Sequence, residues 1–228
     1  VFEAVNMVRQ EIRHSRFLAF LLDPSESHGL GDKFLRALLV AAAKNHPAPP
    51  ASRLALTISD CSNALVYCER DHFDITVQIP DIRLMFVVEN KVFASERPDQ
   101  LSDYRKHVEN RYPSYKFMGL FLTRDGYVGE DERWSTLSYS VIADELKRIL
   151  AEAAPGADIA LVIRHYIELI QRRIVVSQEL LDACRRIYAQ HRTALDLIVE
   201  HGQVSPLAEA FAMFCASHVE LSAFTTRP

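Results

Sequence analysis

Apolar residues recur at helical spacing from about residue 3 to 22, where Val5, Val8, Ile12, Ala19 and Leu22 fall on one stripe. Asp23-Pro24 ends the run, because a residue before proline avoids helical backbone. The loop SESHGLG, with Gly29 and Gly31 as turn residues, leads to a second helical pattern over about 32–44. That pattern places Phe34, Leu35, Leu38, Leu39 and Ala42 on one side, and HPAPP breaks it. The period then falls to two. RLALTIS, ALVYCER, FDITVQI and RLMFVVENKV are short, rich in strand-forming residues and separated by turns, so they predict strands. IPDIR between the last two is short enough for a hairpin.

Helical spacing returns from Pro98 to Tyr112, through Leu101, Tyr104 and Val108. YKFMGLFLT reads as a buried strand followed by the turn TRDG. WSTLSYSV reads as another strand and VIADELKRILAEA as a helix that stops at Pro155-Gly156. The last third is helical throughout: IALVIRHYIELIQRRIVV, QELLDACRRIYAQHRTALDLIVEH and PLAEAFAMFCASHVEL. This order predicts an α/β fold with a mixed sheet flanked by helices, since a helix between two strands permits a parallel crossover. The expected division is an α/β core over 1–155 and a helical region over 156–228, packed on the core or extending it.

Composition narrows the class. At 228 residues, 49% hydrophobic and 25% charged, the chain can bury a sizeable core. A net charge of −4 means that a nucleic-acid partner must be met by a local basic surface. Arg172-Arg173 and Arg185-Arg186 are the candidates for phosphate contacts in the C-terminal part. Cys61, Cys68, Cys184 and Cys215 form no CxxC pair and read as reduced thiols of a cytoplasmic protein. No stretch reads as a signal peptide, and the apolar run LRALLVAAA is too short for a bilayer. The chain begins at Val1 without a methionine, which is compatible with its being a piece of a longer protein.

The chemistry-bearing pattern lies in the middle. Asp74 interrupts an apolar strand in which Phe73, Ile75, Val77 and Ile79 form the core face, and Asp74, Thr76 and Gln78 the other. In the next strand Met85, Val87, Glu89 and Lys91 share a face, because residues two apart on a strand point the same way. The strand is apolar up to Val88 and then turns to Glu-Asn-Lys, which puts the charges at its C-terminal end, where α/β sheets place ligands. Asp74 and Glu89 suit Mg²⁺, a hard ion that takes one or two carboxylates, with waters and phosphate oxygens completing its shell. Mn²⁺ can substitute, and the backbone carbonyl of Asn90 offers a further ligand. Lys91 places a positive charge where an attacking water or a developing phosphate anion would sit.

The Asp74…Glu89-Asn90-Lys91 pattern on consecutive strands resembles the PD-(D/E)XK nuclease superfamily, with its restriction-endonuclease-like α-β-β-β-α-β core. EIRHSRFLAFLLDP, HGLGDKFLRALL and ENKVFASERPDQLSDY are similar to segments of a bacterial nuclease-like subfamily. The chain departs from the motif at Phe73, where the family name records a proline. The resemblance implies metal-dependent cleavage of DNA, with Asp74 and Glu89 on the metal and Lys91 catalytic. It further implies that Glu11, on the first helix, completes the metal site and that Gln100 lies beside the active site. Defence against foreign DNA is the implied setting, and a homodimer is a candidate assembly for a double-strand cut.

Other readings stand beside this one. The three charges could be a solvated salt-bridge cluster, and Glu11 with His14 and Ser15 a local hydrogen-bonding patch. His14 and His28 lack a second ligand at zinc spacing and read as structural. Glu69 reads as a strand-end charge, Tyr104 as a core contact and Trp134 as packing. Gly29 and Gly31 are followed by no GKS or GKT, which excludes a phosphate loop. A catalytically inactive nuclease-fold module, binding nucleic acid or a protein partner, is the alternative function. An RNA or structured-DNA nuclease would use the same residues.

Overall fold

A computed structural model of the protein describes residues 2–3, 7–8, 10–93, 97–153, 155–175 and 178–201, the last segment with side chains over 186–198. Helix α1 (Glu11–Leu22) begins later than the apolar stripe predicts. Gln10 is extended (φ −110°, ψ 93°) and stops the helix there, and Met7, whose carbonyl accepts the Gln10 N–H at 3.0 Å, is buried. Glu11 in the first turn suits the positive end of the helix dipole. Helix α2 (Lys33–Asn45) buries Phe34, Leu35, Leu38, Leu39 and Ala42 as predicted.

RLALTIS is not a strand. It forms the short helix α3 (Arg53–Ile58), started by Ser52, whose hydroxyl accepts from the Ala55 N–H at 3.2 Å. Its alternation of leucines and isoleucine is not a buried face, since Leu56 is buried while Leu54 and Ile58 are exposed.

The remaining predicted strands form. Strands β1 (Leu65–Arg70), β2 (Phe73–Ile79), β3 (Leu84–Lys91), β4 (Lys116–Thr123) and β5 (Trp134–Ser138) make a mixed sheet in sequence order. The first two pairings are antiparallel and the last two parallel. A tight turn over Pro80–Ile82, closed by Arg83 in left-handed backbone, joins β2 to β3. Helix α4 (Gln100–Arg111) makes the crossover from β3 to β4. Helices α5 (Tyr139–Ala153) and α6 (Ala157–Leu169) follow, so the predicted strand WSTLSYSV gives way to helix at Tyr139. The predicted helix IALVIRHYIELIQRRIVV ends in a wide π-turn over Ile170–Ile174.

The sheet separates two cores. The larger one lies under α1, α2, α5 and α6 and takes Ile75, Val77, Ile79, Phe86 and Val88. The smaller one, under α4, takes Met85, Val87, Leu101, Val108, Phe121 and Trp134. Phe73 belongs to the smaller core rather than to the face shared by Ile75 and Val77. At the first position of β2 its ring turns edge-on to Tyr104 and His107 of α4. Gly119 in β4 makes room for the Trp134 indole: a Cβ there would strike that ring and, at 2.8 Å, the Phe117 ring. The indole N–H donates to the Leu101 carbonyl at 3.0 Å, which ties α4 to the sheet.

The first compact unit runs over Val1–Val176. The second contains helix α7 (Gln178–His201), kinked at His191, with Tyr188 donating to Asp196. Arg172 and Arg186 are exposed, and Arg173 is paired with Glu3. The Arg185 and Cys184 side chains, Cys215 and the segment PLAEAFAMFCASHVEL lie outside the described residues. Among the described residues no helix is long and apolar enough to cross a membrane.

Candidate active site

The register that sets Ile75 opposite Val88 brings Asp74 level with Glu89 on the α4 face of the sheet. Asp74 Oδ2 accepts the Asn90 main-chain N–H at 2.7 Å. A strand residue's N–H and C=O point to the same edge, so the Asn90 carbonyl also faces the strand of Asp74. Glu89 is 1% exposed. Its Oε1 accepts from Gln100 Nε2 at 2.8 Å and meets Lys91 Nζ at 3.0 Å. Its Oε2 is buried with no hydrogen-bond partner. His14, Arg36, Thr76 and Ser135 also hold one such atom each, so Glu89 is the one carboxylate among them.

The predicted residues therefore converge. Gln100 opens α4, where its side-chain Oε1 accepts from the Arg97 N–H and its Nε2 also donates to the Tyr104 hydroxyl. Tyr104 in turn donates to the His72 carbonyl, so it is a polar link as well as a core contact. Glu11 reaches across from α1, and its Oε1 accepts the N–H groups of Val92 and Phe93 at 2.7 and 3.0 Å. The family model of the PD-(D/E)XK nuclease superfamily matches residues 1–190. The chain belongs to this superfamily. No curated protein and no solved structure gives a significant match.

Electrostatics set this nuclease-family site apart from a solvated cluster. Burial raises the pKa of Asp74, helped by the charges of Glu69 and Glu11 and opposed by the Asn90 N–H and Lys91. Burial also raises that of Glu89, and the charge of Asp74 adds to it. Burial pulls Lys91 down, but Glu89, Asp74 and Glu11 outweigh it and the ammonium is held charged. Three carboxyl groups thus face one ammonium, so acidic groups outnumber basic ones in this corner.

Among the described residues no group of three His, Cys, Asp or Glu side chains is placed to hold an ion by itself. Mg²⁺ does not need one, because it keeps several waters and takes one or two carboxylates. The unpartnered Glu89 Oε2, aligned with Asp74 in an over-acidic corner, fits such an ion.

Behind the strand, the expected hydrogen-bonding patch of Glu11 and Ser15, joined by Ser15 donating to the Glu11 carbonyl at 3.0 Å, extends into a buried polar cluster whose distant members went unpredicted. Ser15, Asn90, Tyr139, Tyr166 and His14 are each 0% exposed. His14 meets the Tyr166 hydroxyl, and burial draws its pKa down to about 4, so it is neutral at physiological pH. His28 bridges the Asp23 carbonyl and the Leu30 N–H, the loop role expected of it. The signal for the cluster was available in part: Glu11, His14, Ser15 and Leu18 share one helical face, where three polar residues interrupt an apolar stripe.

Proposed function

We propose that the protein is a Mg²⁺-dependent endodeoxyribonuclease, with Mn²⁺ as an alternative ion, acting in defence against foreign DNA. The observation that carries this reading is the buried, unpartnered Glu89 Oε2 beside Asp74 and Lys91. Asp74, Glu89 and the Asn90 carbonyl would hold the ion, with Glu11 at its margin. When bound, the ion supplies Lewis acidity and a water acidified toward neutral pH.

The chain's own residues do the rest. Gln100 fixes the Glu89 carboxylate by donating to Oε1, which leaves Oε2 without a hydrogen-bond partner and so the oxygen that would take the ion. Lys91 keeps a positive charge at the strand end, where it hydrogen-bonds a phosphate oxygen as negative charge develops. Asp74 is oriented by the Asn90 N–H. Plasmid DNA incubated with Mg²⁺ or Mn²⁺ tests the reading: wild type should cut, and Glu89→Ala and Lys91→Ala should lose activity at least about a hundredfold. Failure of wild type to cut with any divalent metal, or variants that cut as well, would overturn it. An RNA substrate in parallel separates the two nucleic acids.

The net charge of −4 favours a second reading, an inactive nuclease-fold module that docks a nucleic acid or a protein partner. Calorimetry separates it: the module shows no millimolar Mg²⁺ or Mn²⁺ binding that depends on Asp74.

A further inference from the structure

Asn90 sits between Glu89 and Lys91 and points away from both, as strand alternation requires. Val88 and Phe86, two and four residues before it on the same face, are apolar core residues. Asn90 continues that face with a fully buried amide. Its Nδ2 donates to Ser15 Oγ at 3.0 Å and to the Glu11 main-chain carbonyl at 3.3 Å. The Tyr139 hydroxyl donates to its Oδ1 at 2.8 Å. A main-chain carbonyl can only accept, so the amide's NH₂ must face α1 and its oxygen α5.

The contacts close into a ring. The Asn90 side chain holds the Glu11 backbone, the Glu11 carboxylate holds the N–H groups of Val92 and Phe93, and Asn90's own N–H holds Asp74. Ser15 braces the ring by donating to the Glu11 carbonyl at 3.0 Å. On the far side Tyr166, fully buried like Tyr139, meets His14 at 3.1 Å. With both ends of the Asn90 amide partnered, a buried network of this kind rigidifies what it joins, whereas an apolar residue would pack without fixing a distance. The strand end needs fixing, because its carboxylates repel one another.

We infer that Asn90 is a positioning residue. Its side chain locks the end of β3 to α1 and α5, so that Glu11, Asp74, Glu89 and Lys91 hold one spacing. The inference rests on the metal-dependent reading above, and it adds a requirement that lies wholly behind the sheet.

Tyr139→Phe removes one hydroxyl and keeps the ring, and Asn90→Asp keeps the shape and removes the NH₂ donors. Two readouts apply to each. The Mn²⁺ concentration for half-maximal DNA cleavage should rise about tenfold, the size of effect seen when partners of metal ligands are removed, with the KM for DNA unchanged. Without metal, hydrogen exchange at the Val92 and Phe93 amides should accelerate in both variants. If Asn90→Asp does not fold, Tyr139→Phe decides. A folded Tyr139→Phe protein with a lower Tm but wild-type metal midpoint and exchange rates would make the network mere packing and overturn the inference. If wild type cuts nothing, the nuclease reading fails, and the exchange rates alone decide whether Asn90 positions the strand end.

Discussion

Gln100 donates to Glu89 at 2.8 Å through the same carboxylate oxygen that Lys91 approaches at 3.0 Å. One oxygen thus carries both contacts while the other stays bare. Replacing Gln100 by leucine removes the donor and frees the carboxylate to rotate. Activity or metal affinity should fall about 10–100-fold, as for other residues that orient a metal ligand. A Mn²⁺ titration of cleavage measures it, and a variant within twofold of wild type would remove Gln100 from the site.

Glu89→Gln should stabilise the metal-free protein at high pH. Burial and the Asp74 charge raise the Glu89 pKa above its ordinary 4.5 in the folded state. The folded state therefore binds more protons than the unfolded one, and stability falls as pH rises from about that value through the raised one. The variant escapes this loss, so in EDTA its Tm should exceed wild type at pH 8 and converge with it near pH 4. Melts across that range check the sign.

Divalent metal should reverse the order. An ion that binds only the folded protein stabilises it by about 2.7 kcal/mol at a hundredfold excess over its Kd. At pH 8, Mn²⁺ should raise the Tm of wild type and leave Glu89→Gln nearly unmoved. Equal shifts would place the ion elsewhere.

Glu11→Gln separates two roles of one residue. The amide oxygen can still accept from Val92 and Phe93, so the fold should hold. If Glu11 also serves the metal, the Mn²⁺ midpoint for cleavage should rise several-fold. An unchanged midpoint would leave Glu11 as a backbone clasp alone.

Gly119→Ala should destabilise the protein by about 1–3 kcal/mol, the usual penalty for overpacking. The new Cβ would meet the Trp134 indole and the Phe117 ring. Thermal melts should show a drop of roughly 2–4 °C per kcal/mol for a chain of this size.

The site's front was legible because strand alternation is a local rule. Glu89 and Lys91 had to share a face, and a short turn had to bring Asp74 alongside. Its back was not legible, because Asn90 pairs with Ser15 and Tyr139, 75 and 49 positions away. No local period carries that information. The misread segments failed locally: RLALTIS has a strand's alternation but a helix-starting serine before it, and Val8 continues a helical phase across backbone that is extended at Gln10. Phe73 obeys the packing of α4 rather than the pleat.

The hairpin from Phe73 to Lys91 carries Asp74, Glu89 and Lys91 within a single unit of local contacts. Hairpins close in about 1–10 μs. Tyr139 lies 49 residues beyond Asn90, and a ribosome adding 5–20 residues per second needs about 2–10 s to reach it. On the growing chain, the charges can meet seconds before the α5 side of the lock behind them exists. The order of synthesis thus separates gathering the acidic corner from setting its spacing.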